Sequence, residues 1–556
     1  MDIEFKSLMS EEAKNVTITI DDREVTVPQG TNLILAAMQA GIDIPYYCYH
    51  PGLSVAGNCR MCQVEVEGRP KLEIGCNTAA MDGMVVRTHH SSEKVADAQA
   101  STLEFILINH PLDCTVCDQS GHCKLQDYHF KYNARPSRFV EDKEHKVKAE
   151  PLGPHVVLDG ERCIMCTRCI RFCDEVTETS ELGMLNRGDR SVIAINAGRE
   201  LDNALSGSVV DLCPVGALTH RDWRFNTRIW YTNEVDSICP GCSTGCAVRA
   251  ATRDNQIVQI KSRYNPAVNQ EWLCDEGRYG FGRFLPENRV TAAMQNGEEC
   301  GLDEALKSSA RLKGQTVAAL FGAHATLEDY FVAQKLLERD SKIVEYAVSY
   351  RERELSQVEK ILVSPDYAPN IRGAQFLGLA AEDAAAQYEQ TLKAIRSDEF
   401  DYALLVGDWS ILPEDLDQAT LDALGKMTCV VSLIADADSP LIAVSNVVLP
   451  VASCLERSGM MINRTGRLHY LERLLEPPQQ VKSAWRVLSE LAATWGSALF
   501  SAQNDRDITL AVLQDIEVLS GLTIAQLKQG GLVLGDDQTV NSDDNCIMPP
   551  GNAMGR

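Results

Sequence analysis

Cys163-Ile-Met-Cys166-Thr-Arg-Cys169-Ile-Arg-Phe-Cys173 is the stretch on which the reading of this chain turns. Three cysteines spaced by two residues, then a fourth after three more, is the arrangement that holds a [4Fe–4S] cluster. Two-residue gaps let one tight loop aim three thiolates at different irons of the same cube. Such a run normally ends in Cys-Pro, yet Asp174 follows Cys173, and the nearest Cys-Pro is Cys213-Pro214. Counting back from Cys213 at the same spacing lands on Asn203, Ser206 and Val209, none of them a cysteine. In two-cluster proteins the fourth cysteine of each run serves the other cluster. The spacing therefore predicts that Cys163, Cys166, Cys169 and Cys213 share one cluster, and that Cys173 is left without one.

The rest of the chain fits this chemistry. Its 556 residues suffice for several domains, and 45% hydrophobic with 24% charged residues is ordinary globular composition. A net charge of −25 argues against nucleic acid, whose phosphates need a basic face. No run reaches the roughly 18–20 apolar residues of a membrane span. The acidic start MDIEFKSLMSEEAK has neither a secretory core nor transit-peptide character, so a cytosolic protein is expected, meeting membranes only through partners. Of 20 cysteines, 16 lie between Cys48 and Cys274, which in a reducing compartment points to metal or redox chemistry rather than disulfides.

Residues 16–20 and 24–27 read as two strands joined at Asp21-Asp22, followed by a helix over 33–38 capped by Thr31. Cys48, Cys59, Cys62 and Cys76 come next, with strands at 63–66 and 72–75. Three loop cysteines and one from a distant strand end suit a [2Fe–2S] cluster in a β-grasp ferredoxin, with structural zinc as the alternative. A helix over about 92–109 then delivers His110, Cys114, Cys117 and Cys123. Three thiolates leave one iron of a four-iron cluster short, and an imidazole can complete it; His110 and His122 both qualify. Residues 141–154 read as a charged linker. Cys239, Cys242, Cys246 and Cys274, with strands at 247–252 and 256–262 between them, form a fourth compact thiolate set, for [4Fe–4S] or zinc.

Beyond residue 290 cysteines thin out. Strands at 316–320, 402–406, 429–434 and 447–449, with a helix at 327–338, imply a parallel sheet covered on both faces. No Gly-rich nucleotide fingerprint appears; Gly280-Phe281-Gly282 reads as a turn. Cys300, Cys429, Cys454 and Cys546 lack ligand spacing. The stretch after about 531 reads as a flexible tail.

Taken in order, these motifs resemble the large iron–sulfur subunit, the G subunit, of respiratory complex I, NADH:quinone oxidoreductase. The resemblance covers residues 15–290 and extends more loosely to about 480 through Val448-Leu-Pro-Val-Ala-Ser-Cys-Leu-Glu-Arg-Ser-Gly-Met-Met-Ile-Asn-Arg-Thr-Gly-Arg467, similar to a stretch of the molybdopterin-oxidoreductase fold. It implies a multidomain α+β then α/β chain. The implied domains are a β-grasp [2Fe–2S] ferredoxin domain (15–92), a [4Fe–4S] domain held by one histidine and three cysteines (93–150), a ferredoxin-like [4Fe–4S] domain (151–232), a four-cysteine [4Fe–4S] domain (233–290), a degenerate molybdopterin-oxidoreductase-like domain (291–530) and a tail (531–556). The resemblance favours His110 over His122 as the nitrogen ligand, and the optional fourth site favours a bacterial source. One [2Fe–2S] and three [4Fe–4S] clusters are expected, without molybdopterin: the region after Cys274 is short for a molybdenum enzyme, and Glu276 replaces a lysine common there. The implied function is electron transfer from an NADH/flavin module towards quinone, with no substrate site of its own. The implied partners are a flavin-binding NADH-oxidising subunit, a small [2Fe–2S] subunit and quinone-side iron–sulfur subunits. The implied place is the cytoplasmic side of the bacterial inner membrane. A formate dehydrogenase- or NAD-linked hydrogenase-type subunit and a zinc-bearing scaffold are the alternatives.

Overall fold

Buried Val16, Ile18 and Ile20 alternate with outward Thr17 and Thr19, so Asn15–Ile20 (β1) forms a half-buried strand. Asp21 and Asp22, both with positive φ, turn the chain into Arg23–Pro28 (β2). In Leu33–Gln39 (α1) four apolar side chains are buried, and the cap is Asn32 rather than Thr31, its side-chain oxygen accepting from Leu35 N at 3.1 Å. Gln63–Val66 (β3), Glu73–Ile74 (β4) and Val85–Arg87 (β5) complete a five-stranded sheet in the order β2-β1-β5-β3-β4. The central β5 runs parallel to β1 and antiparallel to β3. With three residues it is too short for periodicity to reveal.

The computed structural model describes residues 14–133, 135–407 and 416–534. It divides into two compact units at Tyr231/Thr232. In the first unit, Glu93–Leu107 (α2), capped by Ser92, packs on Lys124–Tyr132 (α3). The expected linker is tied down: Lys143 Nζ donates to the Leu107 and Ile108 carbonyls (3.0 and 2.6 Å) at the end of α2. Part of it is strand, since Glu150–Pro151 (β6) joins Val156–Leu158 (β7). Arg168–Glu175 (α4), the hairpin Leu182–Leu185 (β8) and Val192–Ile195 (β9), Ser208–Leu212 (α5) and Leu218–His220 (β10, paired to β7) finish the unit.

The second unit opens with an antiparallel meander, Asn233–Ile238 (β11), Ala247–Arg253 (β12) and Gln256–Ser262 (β13), then Asp275–Tyr279 (α6). A hairpin, Ala293–Gln295 (β14) and Glu298–Cys300 (β15), turns at Asn296-Gly297, both at positive φ. Then come Leu302–Ser309 (α7), Thr316–Phe321 (β16), Leu327–Asp340 (α8), Ile343–Val348 (β17), Ile371–Phe376 (α9), Ala384–Arg396 (α10), Tyr402–Val406 (β18), Gln418–Leu424 (α11), Cys429–Ile434 (β19), Leu441–Val444 (α12), Val447–Pro450 (β20) and, later, Ala484–Thr494 (α13). Strands β17-β16-β18-β19-β20 are parallel, the doubly wound order 2-1-3-4-5, and β14–β15 add an antiparallel edge. Val317, Ala319 and Phe321 of β16 face α7, α8, α9 and α13, whereas Ala318 and Leu320 face α10, α11 and α12. The expected strands and two-sided cover are therefore present. Strands β14, β15 and β17 are additions to the sequence-based expectation, although the Asn296-Gly297 turn signals the first two.

Sheets of this order take ligands at the carboxyl ends of the strands where the order reverses, here between β16 and β18. The start of α8 at that crevice is closed by the chain itself. Thr326 and Asp329 form a capping box, and Arg457 pairs with the buried Asp329 at 2.8 Å. Gly459–Ile462 (β21), paired with Arg467–Leu471 (β22), lies against this turn, with Met460 N donating to Glu328 Oε2 at 2.8 Å. Burial raises the Glu328 carboxyl to about 7. A Cβ on Gly459 would stand 2.7 Å from both Glu328 Oε2 and Thr326 Cγ2. Gly459→Ala is accordingly expected to destabilise this unit by about 1–3 kcal/mol, read as a lower urea midpoint at unchanged slope.

Candidate iron–sulfur sites

Each of the four cysteine loops contains a residue bent into left-handed backbone near its thiols: Arg60 (φ 57°), Gly121 (91°), Met165 and Thr167 (53° and 62°), and Gly245 (63°). Holding a non-glycine residue there costs on the order of 1–3 kcal/mol, which the surrounding structure must offset. All 19 described cysteines are free thiols.

At the first site Cys48 is hydrogen-bonded to Cys59, and Cys62 to Cys76. Two thiol pairs are the donor set of two irons with two ligands each. The Cys48 thiol falls to about 5 through its bond with Cys59, helped by the Cys59 and Asn58 backbone N–H groups and by the Arg171 charge. The paired partner and burial push the Cys59 and Cys62 thiols upward.

At the second site Cys114 is exposed, Cys117 and Cys123 are buried, and the three lie within electrostatic reach of one another. His110 presents a buried Nδ1 with no hydrogen-bond partner. Desolvation, then the Lys143 and Arg162 charges, hold its imidazole neutral, with a pKa lowered to about 4. A neutral imidazole with an orphaned nitrogen can serve as a ligand. The backbone of His122 is taken up in a turn, its N–H donating to the Gln119 carbonyl at 3.1 Å and its carbonyl accepting from Gln119 Nε2 at 3.1 Å.

The third site brings the displaced Cys-Pro to the opening motif. Cys163, Cys166, Cys169 and Cys213 line one small cavity together with Leu158, Val215 and neighbouring apolar residues. Cys173 is not among its walls; it is fully buried elsewhere, bonded to Glu181. Burial first, then this carboxylate, raises the Cys173 thiol and keeps it protonated. Glu181 also accepts from Asn203 Nδ2 (2.9 Å) and Thr179 Oγ1 (2.5 Å). Asn203 is one of the three positions where the spacing asks for a cysteine. Where a second cluster would need thiolates, this chain places a closed polar network at Asn203 and buries Ser206 and Val209.

Cys239, Cys242, Cys246 and Cys274 line one small cavity in the second unit. Three come from the β11–β12 loop, and Cys274 caps α6 with its sulfur accepting from Gly277 N at 3.3 Å. Burial raises the Cys239 thiol to about 12. The α/β scaffold holds the loop. Ser243 Oγ donates to Asp366 (2.5 Å), Thr244 Oγ1 to the Leu362 carbonyl (2.8 Å), and Asn463 Nδ2 to the Thr244 carbonyl (3.1 Å). Glu276, at the cavity wall, is clamped by Arg283 and by Arg353 Nη2 at 2.8 Å. Among the described residues no three His, Cys, Asp or Glu side chains gather closely enough for one metal ion.

The structure adds residues that motif reading passes over. Buried Arg162, just before Cys163, pairs with Asp113 (3.0 Å), just before Cys114, and with Asp159 (3.3 Å). A Cβ on Gly216, three residues past Cys213, would collide with Cys117 Sγ. Arg168 and Arg171 bind carbonyls of the first-site loop. Three arginines inside a buried metal run are themselves a signal, because a charge there must have fixed partners.

Comparison with known proteins finds matches along several segments of the chain. Family profiles match a 2Fe-2S iron-sulfur cluster binding domain at 13–91 and an NADH-ubiquinone oxidoreductase-G iron-sulfur binding region at 99–138. Residues 153–219 match the ferredoxin-like domain of NADH-quinone oxidoreductase subunit 3. A molybdopterin oxidoreductase Fe4S4 domain (232–284) and a molybdopterin oxidoreductase domain (380–494) follow. The NADH-quinone oxidoreductase G subunit of Streptomyces coelicolor is 39% identical over 329 residues, 58% of this chain and 39% of that protein. Over those residues this chain is similar to the NADH-quinone oxidoreductase G subunit. The G subunit of Rickettsia felis is 36% identical over 58% of this chain and 49% of its own length. The mitochondrial NADH-ubiquinone oxidoreductase 78 kDa subunit of Candida albicans is 38% identical over 55% and 42%. The matches thus span less than half of these curated relatives. A chain of an NAD+-reducing [NiFe]-hydrogenase aligns over 38% of this chain and 91% of its own at 31% identity, with a TM-score of 0.35, too low to bear on the fold.

Two substitutions separate the cysteine roles at the third site. Cys213→Ser should remove one four-iron cluster's worth of iron and sulfide, whereas Cys173→Ser should leave both unchanged in anaerobically purified protein.

Proposed function

We propose that this chain is the electron-carrying iron–sulfur subunit of an NADH:quinone oxidoreductase, with one [2Fe–2S] and three [4Fe–4S] clusters in the four sites. The observation that carries the reading is the third-site cavity, which gathers Cys163, Cys166, Cys169 and the distant Cys213 and excludes Cys173. When bound, iron–sulfur clusters supply one-electron storage and transfer. The chain's own part is to bury the thiols, exclude water and set the charge around them.

The donor sets support the assignments: Cys48, Cys59, Cys62 and Cys76 for two irons; His110, Cys114, Cys117 and Cys123 for a four-iron cluster; Cys163, Cys166, Cys169 and Cys213 for a second; Cys239, Cys242, Cys246 and Cys274 for a third. At the third and fourth sites four thiols line one shared cavity, as a [4Fe–4S] cluster requires. In the first unit the third-site motif touches the loops of both neighbours, through Arg171 on one side and Gly216 on the other. That contiguity is what a conducting subunit needs. The self-filled crevice at α8 and the arginine-clamped Glu276 support a scaffold without molybdopterin.

The partners of this reading are a flavin-binding NADH-oxidising subunit, a small [2Fe–2S] subunit and quinone-side iron–sulfur subunits, in the peripheral arm of a membrane complex. No helix among the described residues is long and apolar enough to cross a membrane, so attachment would come through those partners.

Anaerobic purification should yield about 14 irons per chain with matching acid-labile sulfide, together with flavin-bearing and quinone-side subunits. About four zincs without sulfide would overturn the reading, and molybdenum or tungsten in the preparation would replace it with a formate dehydrogenase-type one. His110→Cys should shift the midpoint potential and EPR spectrum of a single cluster; an unchanged spectrum removes His110 from the ligand set.

A further inference from the structure

Helix α4 carries Cys169 of the third site, and two of its arginines reach into the loop of the first. Arg171 Nη2 donates to the Cys48 carbonyl at 2.5 Å and to the Cys166 carbonyl at 3.4 Å. Its Nη1 donates to the Ser54 carbonyl. One guanidinium therefore touches a peptide bearing a first-site thiol and a peptide bearing a third-site thiol. Arg168 repeats the pattern one residue along each loop. Its Nη1 donates to the carbonyl of Leu212, next to Cys213, at 3.0 Å, and its Nη2 to the carbonyl of Tyr49, next to Cys48. Two further bonds close the same seam: Ser54 N to Glu175 Oε2 at 2.7 Å, and Asn58 Nδ2 to the Met165 carbonyl at 3.3 Å.

We propose that Arg171 is a positioning residue shared by the first and third sites, fixing their two ligand loops against each other and setting both reduction potentials with one positive charge. The proposal rests on both being cluster sites, as argued above. Reduction adds negative charge to a cluster, so a cation held beside it favours the reduced state and raises the potential. The charge acts strongly here because Arg171 is only partly exposed and its nitrogens are bound to carbonyls that do not neutralise it. A guanidinium needed only for packing would affect stability and leave potentials alone.

The test is a redox titration of the full chain, purified anaerobically and followed by EPR. The third-site signal is the one lost in Cys213→Ser, and the first-site signal is the only one of [2Fe–2S] type. Arg171→Gln should lower the midpoint potentials of both while iron and sulfide content stay constant; a shift in only one, or in neither, overturns the proposal. Arg171→Lys keeps the charge but cannot span both carbonyls with its single nitrogen as the fork does, so its shifts should be smaller than those of Gln. Should the Gln variant fail to load its clusters, the Lys variant is read by the same criterion: a smaller lowering of both potentials supports the proposal, and a change in only one, or in neither, overturns it. Unsubstituted protein without a [2Fe–2S] signal would instead sink the functional reading itself, before any variant is compared.

Discussion

A buried guanidinium must keep its hydrogen bonds, because an unpaired charge inside a protein costs several kcal/mol. Arg168 is 5% exposed and takes its acceptors from two loops far apart in sequence, at Tyr49 and Leu212. Neither loop can move without stranding that charge. Arg162, similarly buried at the other end of the motif, binds Asp113 and Asp159 under the same constraint. The cysteine run that follows Arg162 and contains Arg168 thus does more than supply thiols. It locks the loops on either side of it into place, and the architecture of the first unit follows from that double attachment.

The local chemistry of each site has a cost that this framework absorbs. Thiols are buried, their ionisation is opposed by desolvation, and the loops carry left-handed residues that a free chain would avoid. Backbone N–H groups return part of it, as when Met165 N donates to Cys163 Sγ at 3.4 Å. The position of Asn203 shows the same rule from the other side. Asn203 and Cys173 both bond to Glu181 there, so that none of the three is stranded.

In the second unit the doubly wound sheet and its loops hold the fourth cysteine loop. Its switch-point crevice is occupied by β21 and by the Arg457–Asp329 pair, while the β21–β22 turn reaches the fourth cysteine loop, with Arg464 N donating to the Ser243 carbonyl at 2.7 Å. The residues of the 448–467 segment acquire separate physical tasks. Glu456 holds Arg289 in a two-pronged pair at 2.6 and 2.7 Å, Gly459 permits close packing on α8, and Asn463 shapes the turn to β22.

Much of this was legible beforehand. Loop spacing is local, so the sequence by itself determined four thiolate sets, the separation of Cys173 from Cys213, and the α/β rhythm after residue 290. Short or edge elements escaped it: β5 and β14 are too brief to show a period, and β17 is half exposed at the sheet's edge. The cap at Asn32 and the anchored stretch 141–154 depended on partners that no local pattern names. Only the tertiary structure decided that Arg168 and Arg171 join the first site to the third, that Gly216 leaves room for Cys117, and that the sheet's crevice is filled from within. The physical reason is common to all three: hydrogen-bond acceptors, close approaches and buried charges are settled between residues distant in the chain, where sequence periodicity carries no information.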